Sequence, residues 1–273
     1  MALSQNMIIL LSPAKKMGFD QTLTTDDWSL PGFADKSRIL AERMRKMAPN
    51  ELKKAMKISD NLALLNFERW QNWNTPEKPE ADCAQAIAVF QGDVYQGLDA
   101  TNWTAADLQH AQQNLRILSG LHGLLRPLDL IKPYRLEMGT RLANPMGKDL
   151  YAFWRANLGQ YLSQALREQE APQHQPWILN LASREYAQAA ALDELAQQGV
   201  HIISPCFENQ TQSGWRTVMF YAKRSRGAMA AWVIKNNIKQ PQQINQYCNG
   251  GYQYQPSLST PEQPVFRAEA QKV

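Results

Sequence analysis

Four short apolar runs constrain the fold of this 273-residue chain more than any other feature of its sequence. Each run ends in polar or turn-forming residues, as buried strands commonly do. The second half of the chain alternates such runs with helical patterns, which is typical of a sheet with helices packed against it. We therefore predict one mixed central sheet whose strands include residues 7–12, 177–181, 200–204 and 218–222.

Helical periodicity dominates much of the chain between the first two of these runs. A capping box formed by Thr104 and Asp107 predicts the start of one helix, which we expect to continue to about Leu118. The tail at 247–273 is rich in Gly, Pro, Gln and Ser and contains two short strand-like pieces. The predicted fold class is α+β: a single compact domain over 1–273, with a helical segment at about 36–170 inserted between sheet strands.

Positive charge is concentrated in two segments of the chain, although the formal net charge is only +4. One segment covers residues 116–148. The other covers 209–261 and contains no Asp or Glu. Aromatic residues lie among these cations, a combination that suits phosphate contacts with base stacking. The alternative is that each segment is a solvated helix face.

The three cysteines and four histidines show no metal-ligand spacing, so we predict no metal site and no cofactor. The cysteines lie far apart in the sequence, which favours a reducing compartment over a disulfide framework. The sequence contains no apolar run of the length that crosses a bilayer and no signal-peptide pattern.

Residues 118–142 are unusual because they combine many apolar side chains with glycines, prolines and cations. Around Gly120 and Gly123 we predict a helix, a tight turn and a second short helix. Backbone N–H groups in such a turn can bind a phosphate, although the glycines can instead serve close packing of the helices. Together with cations at strand and helix ends, this segment supplies the predicted DNA- or anion-binding residues: Lys15, Lys16, Arg116, Ser119, Gly120, Gly123, Arg126, Arg135, Arg141, Lys223, Arg224 and Arg226.

Polar residues also follow several predicted strands. In open α/β sheets, ligands bind where strands end, so we expect these residues to share one cleft. The predicted polar pocket consists of Ser12, Asp93, Tyr95, Tyr134, Glu137, Asn180, Ser183 and Tyr186. We expect the cations of this cleft to be Lys15, Arg126, Arg135, Lys223 and Arg226.

Several motifs together resemble the YaaA family of bacterial peroxide stress proteins. They are "ILLSPAKKM", "FQGDVYQGL", "LRILSGLHGLLRPLDLIKPYRLEMGTRL", "NLAS" followed by "EY", and "FYAKRSRGAM". The resemblance implies a cytoplasmic protein that limits peroxide damage and helps to keep unincorporated iron low. It also implies a basic cleft and a helix-hairpin-helix element that binds duplex DNA. The hairpin would lie at Gly120 and Gly123, which are separated by two residues rather than the usual one.

Two functions remain open from the sequence. The first is a DNA-binding protein of the peroxide stress response, whose partner is double-stranded DNA bound largely without sequence preference. The second is an enzyme of unknown reaction that uses a polar basic cleft, since Arg135 beside Glu137 can serve as a substrate clamp or as a structural ion pair. No catalytic triad order or nucleotide-binding glycine loop is present, so we assign no catalytic residue and leave the oligomeric state open. A protein-interaction module has little support.

Overall fold

The structure is a computed structural model that describes residues 6–169 and 175–269. Its strands, in chain order, are β1 (Met7–Leu11), β2 (Lys16–Met17), β3 (Ala84–Gln85), β4 (Phe90–Gln91), β5 (Leu115–Ser119), β6 (Gly123–Leu125), β7 (Leu130–Ile131), β8 (Trp177–Asn180), β9 (His201–Ile203), β10 (Cys206–Thr211), β11 (Gly214–Arg216), β12 (Gln253–Tyr254) and β13 (Val265–Ala268).

The helices surround these strands. They are α1 (Ala34–Arg45), α2 (Pro49–Met56), α3 (Asp60–Asn72), α4 (Ala86–Val89), α5 (Asp93–Leu98), α6 (Ala105–Asn114), α7 (Leu150–Arg167), α8 (Arg184–Ala187), α9 (Leu192–Gln197) and α10 (Met219–Lys235). Short 3₁₀ turns follow several of them, at 100–102, 188–190, 241–246, 249–251 and 256–258.

The central sheet has the strand order β6–β5–β1–β8–β9. Strand β1 pairs in parallel with both β5 and β8, β9 continues the parallel set, and β6 is antiparallel at one edge. All five residues of β1 are buried, as expected for a parallel strand covered on both faces. The predicted mixed sheet with surrounding helices is confirmed. The region predicted as a helical insertion, 36–170, also supplies β5 and β6.

One of the four predicted strands is wrong. Residues 219–222 form the first turn of α10 rather than a strand. Met219 and Phe220 are largely exposed, whereas the buried positions Ala222, Met229 and Val233 recur at helical spacing. Burial in this segment therefore has the period of a helix.

A second sheet, in the order β11–β10–β13–β12, contacts α10 through β10. Pro205 lies between β9 and β10. Strand β9 belongs to the central sheet, and β10 belongs to this second sheet. The C-terminal tail supplies β12 and β13, and β13 pairs in parallel with β10. Both strand-like pieces predicted in the tail are strands.

The capping box at Thr104 is present. The Thr104 hydroxyl accepts a hydrogen bond from the Asp107 amide at 3.2 Å, and the Asp107 carboxylate accepts one from the Thr104 amide at 3.0 Å. Helix α6 ends at Asn114, however, and not at Leu118. The chain then enters β5, whose residues are all buried.

The predicted helix-turn-helix around the two glycines is wrong, because residues 115–125 form a β-hairpin. Ser119 closes its turn by accepting hydrogen bonds from the amides of Leu121 and His122 at 3.2 and 3.0 Å. Gly123 has a φ of +69°, and a Cβ there would lie 2.6 Å from the Trp154 ring. A Cβ on Gly120 would collide with the Leu136 carbonyl. The glycines therefore serve a tight turn and close packing.

His122 makes the stability of this hairpin sensitive to pH. Its ring is fully buried, with Nδ1 at 3.1 Å from the Ser37 hydroxyl, and burial lowers its pKa to about 3. The unfolded chain binds a proton on this ring below its ordinary pKa of about 6.5, whereas the folded chain does not. Stability is therefore lost as the pH falls from about 6.5 towards 3, by about 1.4 kcal/mol per pH unit.

Because of His122, we expect the free energy of unfolding to fall by about 2 kcal/mol when the pH is lowered from 7 to 5. Urea unfolding of the wild type and a His122→Phe variant at the two pH values measures the effect, because the variant lacks the titrating ring. Between pH 7 and pH 5, the free energy of unfolding of the wild type should fall by about 2 kcal/mol more than that of the variant. Parallel pH dependences would contradict the assignment.

Candidate functional site

The candidate site lies at the carboxyl edge of the parallel strands. Strand β1 leads to Ser12 and β8 leads to Ser183. Within the central sheet, β5 lies on one side of β1, and β8 and then β9 lie on the other side. The strand order therefore reverses between β1 and β8, which makes this a topological switch point. Ligands of open α/β sheets bind in the crevice at such a point. The Ser12 hydroxyl there accepts from the Ser183 amide at 2.8 Å and donates to the Ser183 hydroxyl at 3.3 Å.

A cleft of about 550 Å³ opens above these serines, and we call it the strand-end cleft. The structure brings seven of the eight predicted pocket residues into its wall: Ser12, Asp93, Tyr95, Tyr134, Glu137, Ser183 and Tyr186. The eighth, Asn180, lines a neighbouring cavity, where its amide donates to the Ser204 hydroxyl at 3.0 Å. Among the described residues, five cationic and three carboxylate side chains line the cleft, which leaves it positively charged.

Three buried tyrosines form the floor of the strand-end cleft. The Tyr95 hydroxyl donates to the Ser12 carbonyl at 3.0 Å, and the hydroxyls of Tyr134 and Ser119 are hydrogen-bonded at 2.7 Å. Burial raises the pKa of Tyr95, Tyr134 and Tyr186 above the ordinary value for tyrosine. These hydroxyls therefore stay protonated near neutral pH and act as hydrogen-bond donors rather than as bases.

Glu137 neutralises part of the positive charge in the cleft. One of its carboxylate oxygens lies 2.7 Å from Lys15 Nζ, and the other lies 3.0 Å from Arg135. Of the two roles considered for Arg135 and Glu137, the structure shows the ion pair, with Lys15 added to it. Lys15 and Arg135 are thus already partnered without a ligand.

Arg226 is the cation of the cleft that most needs an anion. It is half-buried, burial lowers its pKa, and it forms no salt bridge with any residue that the structure describes. Lys223 lies about one turn earlier on α10, is exposed and lines the same cleft. A guanidinium removed from water without a carboxylate is costly unless an anion compensates it. Neither Arg226 nor Lys223 forms a salt bridge with any described residue.

Two glycines set the position of these cations. Helices α5 and α10 cross at Gly97 and Gly227, where their backbones approach too closely for any side chain. A Cβ on Gly97 would collide with the Arg224 carbonyl, and a Cβ on Gly227 would collide with the Val94 carbonyl. This contact holds Asp93 and Tyr95 on one helix beside Lys223 and Arg226 on the other. From the sequence we expected Gly227 to open a helix, whereas it lies inside α10, and we assigned no role to Gly97.

Several residues predicted to bind DNA lie elsewhere. Arg116, Ser119, Gly120 and Gly123 are buried in the β-hairpin and cannot reach a DNA backbone. Burial lowers the pKa of Arg116, which donates to the carbonyls of Gln112 and Leu115 at 3.1 and 2.8 Å.

The remaining predicted cations divide between the cleft and other surfaces. Arg126 lies outside the cleft, because it pairs at 3.2 Å with the buried Asp129. Arg141 is exposed and does not line the cleft, and Arg224 lines a separate cavity across α10. Lys15, Lys16, Arg135, Lys223 and Arg226 do line it. Four of the five cations expected in one cleft are therefore brought together, and Arg126 is the exception.

The cleft also includes a carboxylate that we did not predict as a site residue. Glu185 lies between Ser183 and Tyr186 in the "NLASREY" segment, and it accepts a hydrogen bond from the Gly139 amide at 2.8 Å. Its position directly after the strand end is the signal that would have identified it.

Within residues 6–169 and 175–269, no group of three or more His, Cys, Asp or Glu side chains is placed to hold a metal ion. In the same part of the chain, no helix has both the length and the apolar character needed to cross a membrane.

Comparison with known proteins identifies the family. A sequence model of the family described as "Peroxide stress protein YaaA" matches residues 7–258 of this chain. The chain belongs to the YaaA family. The resemblance predicted from its motifs is thereby confirmed. All five of those motifs, beginning at Ile9, Phe90, Leu115, Asn180 and Phe220, contribute lining residues to the strand-end cleft of this YaaA-family protein.

Curated relatives match over nearly their whole length. A protein of Tolumonas auensis named "UPF0246 protein" is 44% identical over 261 residues, which cover 96% of this chain and 97% of the relative. A protein of the same name from Dechloromonas aromatica is 42% identical over 261 residues, with coverages of 96% and 98%. A UPF0246 protein of Ralstonia nicotianae is 44% identical over 264 residues, with coverages of 97% and 100%.

Proposed function

We propose that this YaaA-family protein acts in the peroxide stress response by binding duplex DNA, largely without sequence preference. Lys16, Lys223 and Arg226 of the strand-end cleft would contact phosphates, with Arg224 adjacent on α10. The observation that carries the proposal is Arg226, a half-buried guanidinium that forms no salt bridge with any described residue. A DNA phosphate is an anion of suitable geometry for a guanidinium.

The charge distribution along α10 supports this proposal. Lys223, Arg224 and Arg226 all lie in its first half, and its first turn has no acidic residue. Like charges this close together repel one another, and an anion bound beside them offsets that repulsion.

The binding surface proposed here differs from the one that the family resemblance implied. The hairpin glycines are buried, so the proposal rests on α10 and on the loop after β1. Phosphate contacts supply affinity but no sequence information, which is the reason to expect little sequence preference. The cytoplasmic location and the low level of unincorporated iron that the resemblance implies remain predictions.

A second candidate function is an enzyme that acts on a small anionic substrate. The cleft volume of about 550 Å³ falls within the range of small-molecule sites, and the cleft lies at a topological switch point. In that case Arg226 would bind the anionic group of the substrate.

We expect duplex binding to weaken about 40-fold between 50 and 200 mM salt if about three phosphates are neutralised. Fluorescence anisotropy with two labelled duplexes of unrelated sequence measures this, and their affinities should agree within about twofold. No binding at 50 mM salt by folded protein would count against the proposal. Thermal stabilisation by small phosphate esters without DNA binding would favour the enzyme.

A further inference from the structure

A second cavity lies on the opposite side of α10 from the strand-end cleft. It has a volume of about 520 Å³, and we call it the tyrosine pocket. The walls come from α5, α10, β10 and the 3₁₀ turn at 249–251. Its lining includes Asn209, Tyr221, Arg224, Tyr247 and Tyr252. None of them lines the strand-end cleft.

The wall of the tyrosine pocket combines aromatic rings with amide groups. Tyr221, which is only partly buried, supplies a ring on which a flat heterocycle can stack, whereas the buried Tyr247 and Tyr252 shape the wall. Asn209 accepts a hydrogen bond from the Tyr252 hydroxyl at 2.9 Å through its amide oxygen, which leaves its amide NH₂ group as a donor. Paired amide donors and acceptors match the hydrogen-bonding edges of nucleobases.

The pocket also contains a cation that is free to bind an anion. Arg224, which is exposed, forms no salt bridge within the described part of the chain. The one carboxylate in the wall, Asp99, already accepts two hydrogen bonds from the Asn102 amide, at 2.9 and 3.0 Å.

From this combination we propose that the tyrosine pocket binds a nucleotide. The base would stack on Tyr221 and bond to the amide groups, and the phosphate would pair with Arg224. The nucleotide has two possible sources: a free mononucleotide, or an unpaired nucleotide of DNA held along α10. The second source rests on the proposed function, because Lys223 and Arg224 are adjacent residues that line the two cavities.

The first arm of the test uses isothermal titration calorimetry with deoxyadenosine monophosphate, deoxyadenosine and inorganic phosphate. We expect the monophosphate to bind most tightly. Tyr221→Ala should weaken its binding at least about fivefold through lost stacking, and the matched Tyr221→Phe should retain it. Arg224→Ala should weaken the monophosphate about tenfold and leave the affinity for deoxyadenosine within about twofold, because only the phosphate contact is lost.

The second arm distinguishes the two sources of the nucleotide. It compares a duplex carrying one unpaired adenine with the same duplex carrying an abasic site at that position. Tighter binding of the adenine duplex, lost in Tyr221→Ala, would identify DNA as the source. Monophosphate binding with no difference between the duplexes would identify the free nucleotide.

The proposal is overturned if neither probe binds through this pocket. That outcome is either no monophosphate binding and no adenine preference in the wild type, or binding that Tyr221→Ala and Arg224→Ala leave unchanged. Monophosphate binding together with failure to bind any duplex would remove the proposed DNA function and leave the pocket as a site for free nucleotides. Circular dichroism of each variant verifies that it is folded.

Discussion

A Gly227→Ala variant is expected to lose about 3 kcal/mol of its free energy of unfolding, near the upper end of what overpacking usually costs. The added methyl group would collide with the Val94 carbonyl of α5, and a backbone atom cannot rotate away. The two helices would have to separate where α10 presents Lys223 and Arg226 to the strand-end cleft. Gly97→Ala should behave similarly, because its methyl group would collide with the Arg224 carbonyl.

Urea unfolding followed by tryptophan fluorescence measures this effect. Gly32→Ala is the matched control, since the nearest atom to a Cβ there is a Tyr161 ring carbon at 3.9 Å. The control should change the free energy of unfolding by no more than about 0.5 kcal/mol. If Gly227→Ala is as stable as the control, α5 and α10 do not approach each other as closely as the structure describes.

The parallel core of the fold could be predicted because its strands are buried on both faces. Residues 7–11 and 177–179 read as continuous apolar runs for that reason, and the polar residues that follow them lie at one edge of the sheet. Ser12 and Ser183 could therefore be placed together before their hydrogen bonds were known.

The β-hairpin could not be predicted because its local sequence favours helix. Residues 115–125 contain five leucines and a single β-branched residue, Ile117, and they follow α6 without a break. Pairing of β5 with the buried β1 decides its conformation, so tertiary context overrides propensity. The burial of Arg116 depends on the same pairing.

The placement of Arg126 was a different kind of error. Asp129 lies three residues further along the chain and provides a carboxylate within reach, so the local sequence already contained the partner. Glu137 has the same relation to Arg135, and there the ion pair was one of the roles considered. Arg226 has no comparable neighbour, because residues 209–261 contain no acid.

We expect a Lys223→Ala/Arg226→Ala variant to bind duplex DNA at least about tenfold more weakly than the wild type at the same salt concentration, because two charged phosphate contacts are lost. Its melting temperature should stay close to that of the wild type. Lys223 is exposed, and Arg226 forms no salt bridge with any described residue that its removal would leave unpaired. Anisotropy titration and thermal unfolding measure the two quantities. A large loss of stability would show instead that these cations serve buried structural contacts.

The proposal that α10 and the strand-end cleft bind DNA is tested most directly by the salt dependence of duplex affinity in three proteins. These are the wild type, the Lys223→Ala/Arg226→Ala variant and an Arg141→Ala/Lys148→Ala control, which removes two exposed cations outside the cleft. The account predicts that the cleft variant reduces the slope of log affinity against log salt by about 1.8, and that the control leaves the slope unchanged. Equal reductions in both variants, or no reduction in the cleft variant, would contradict it.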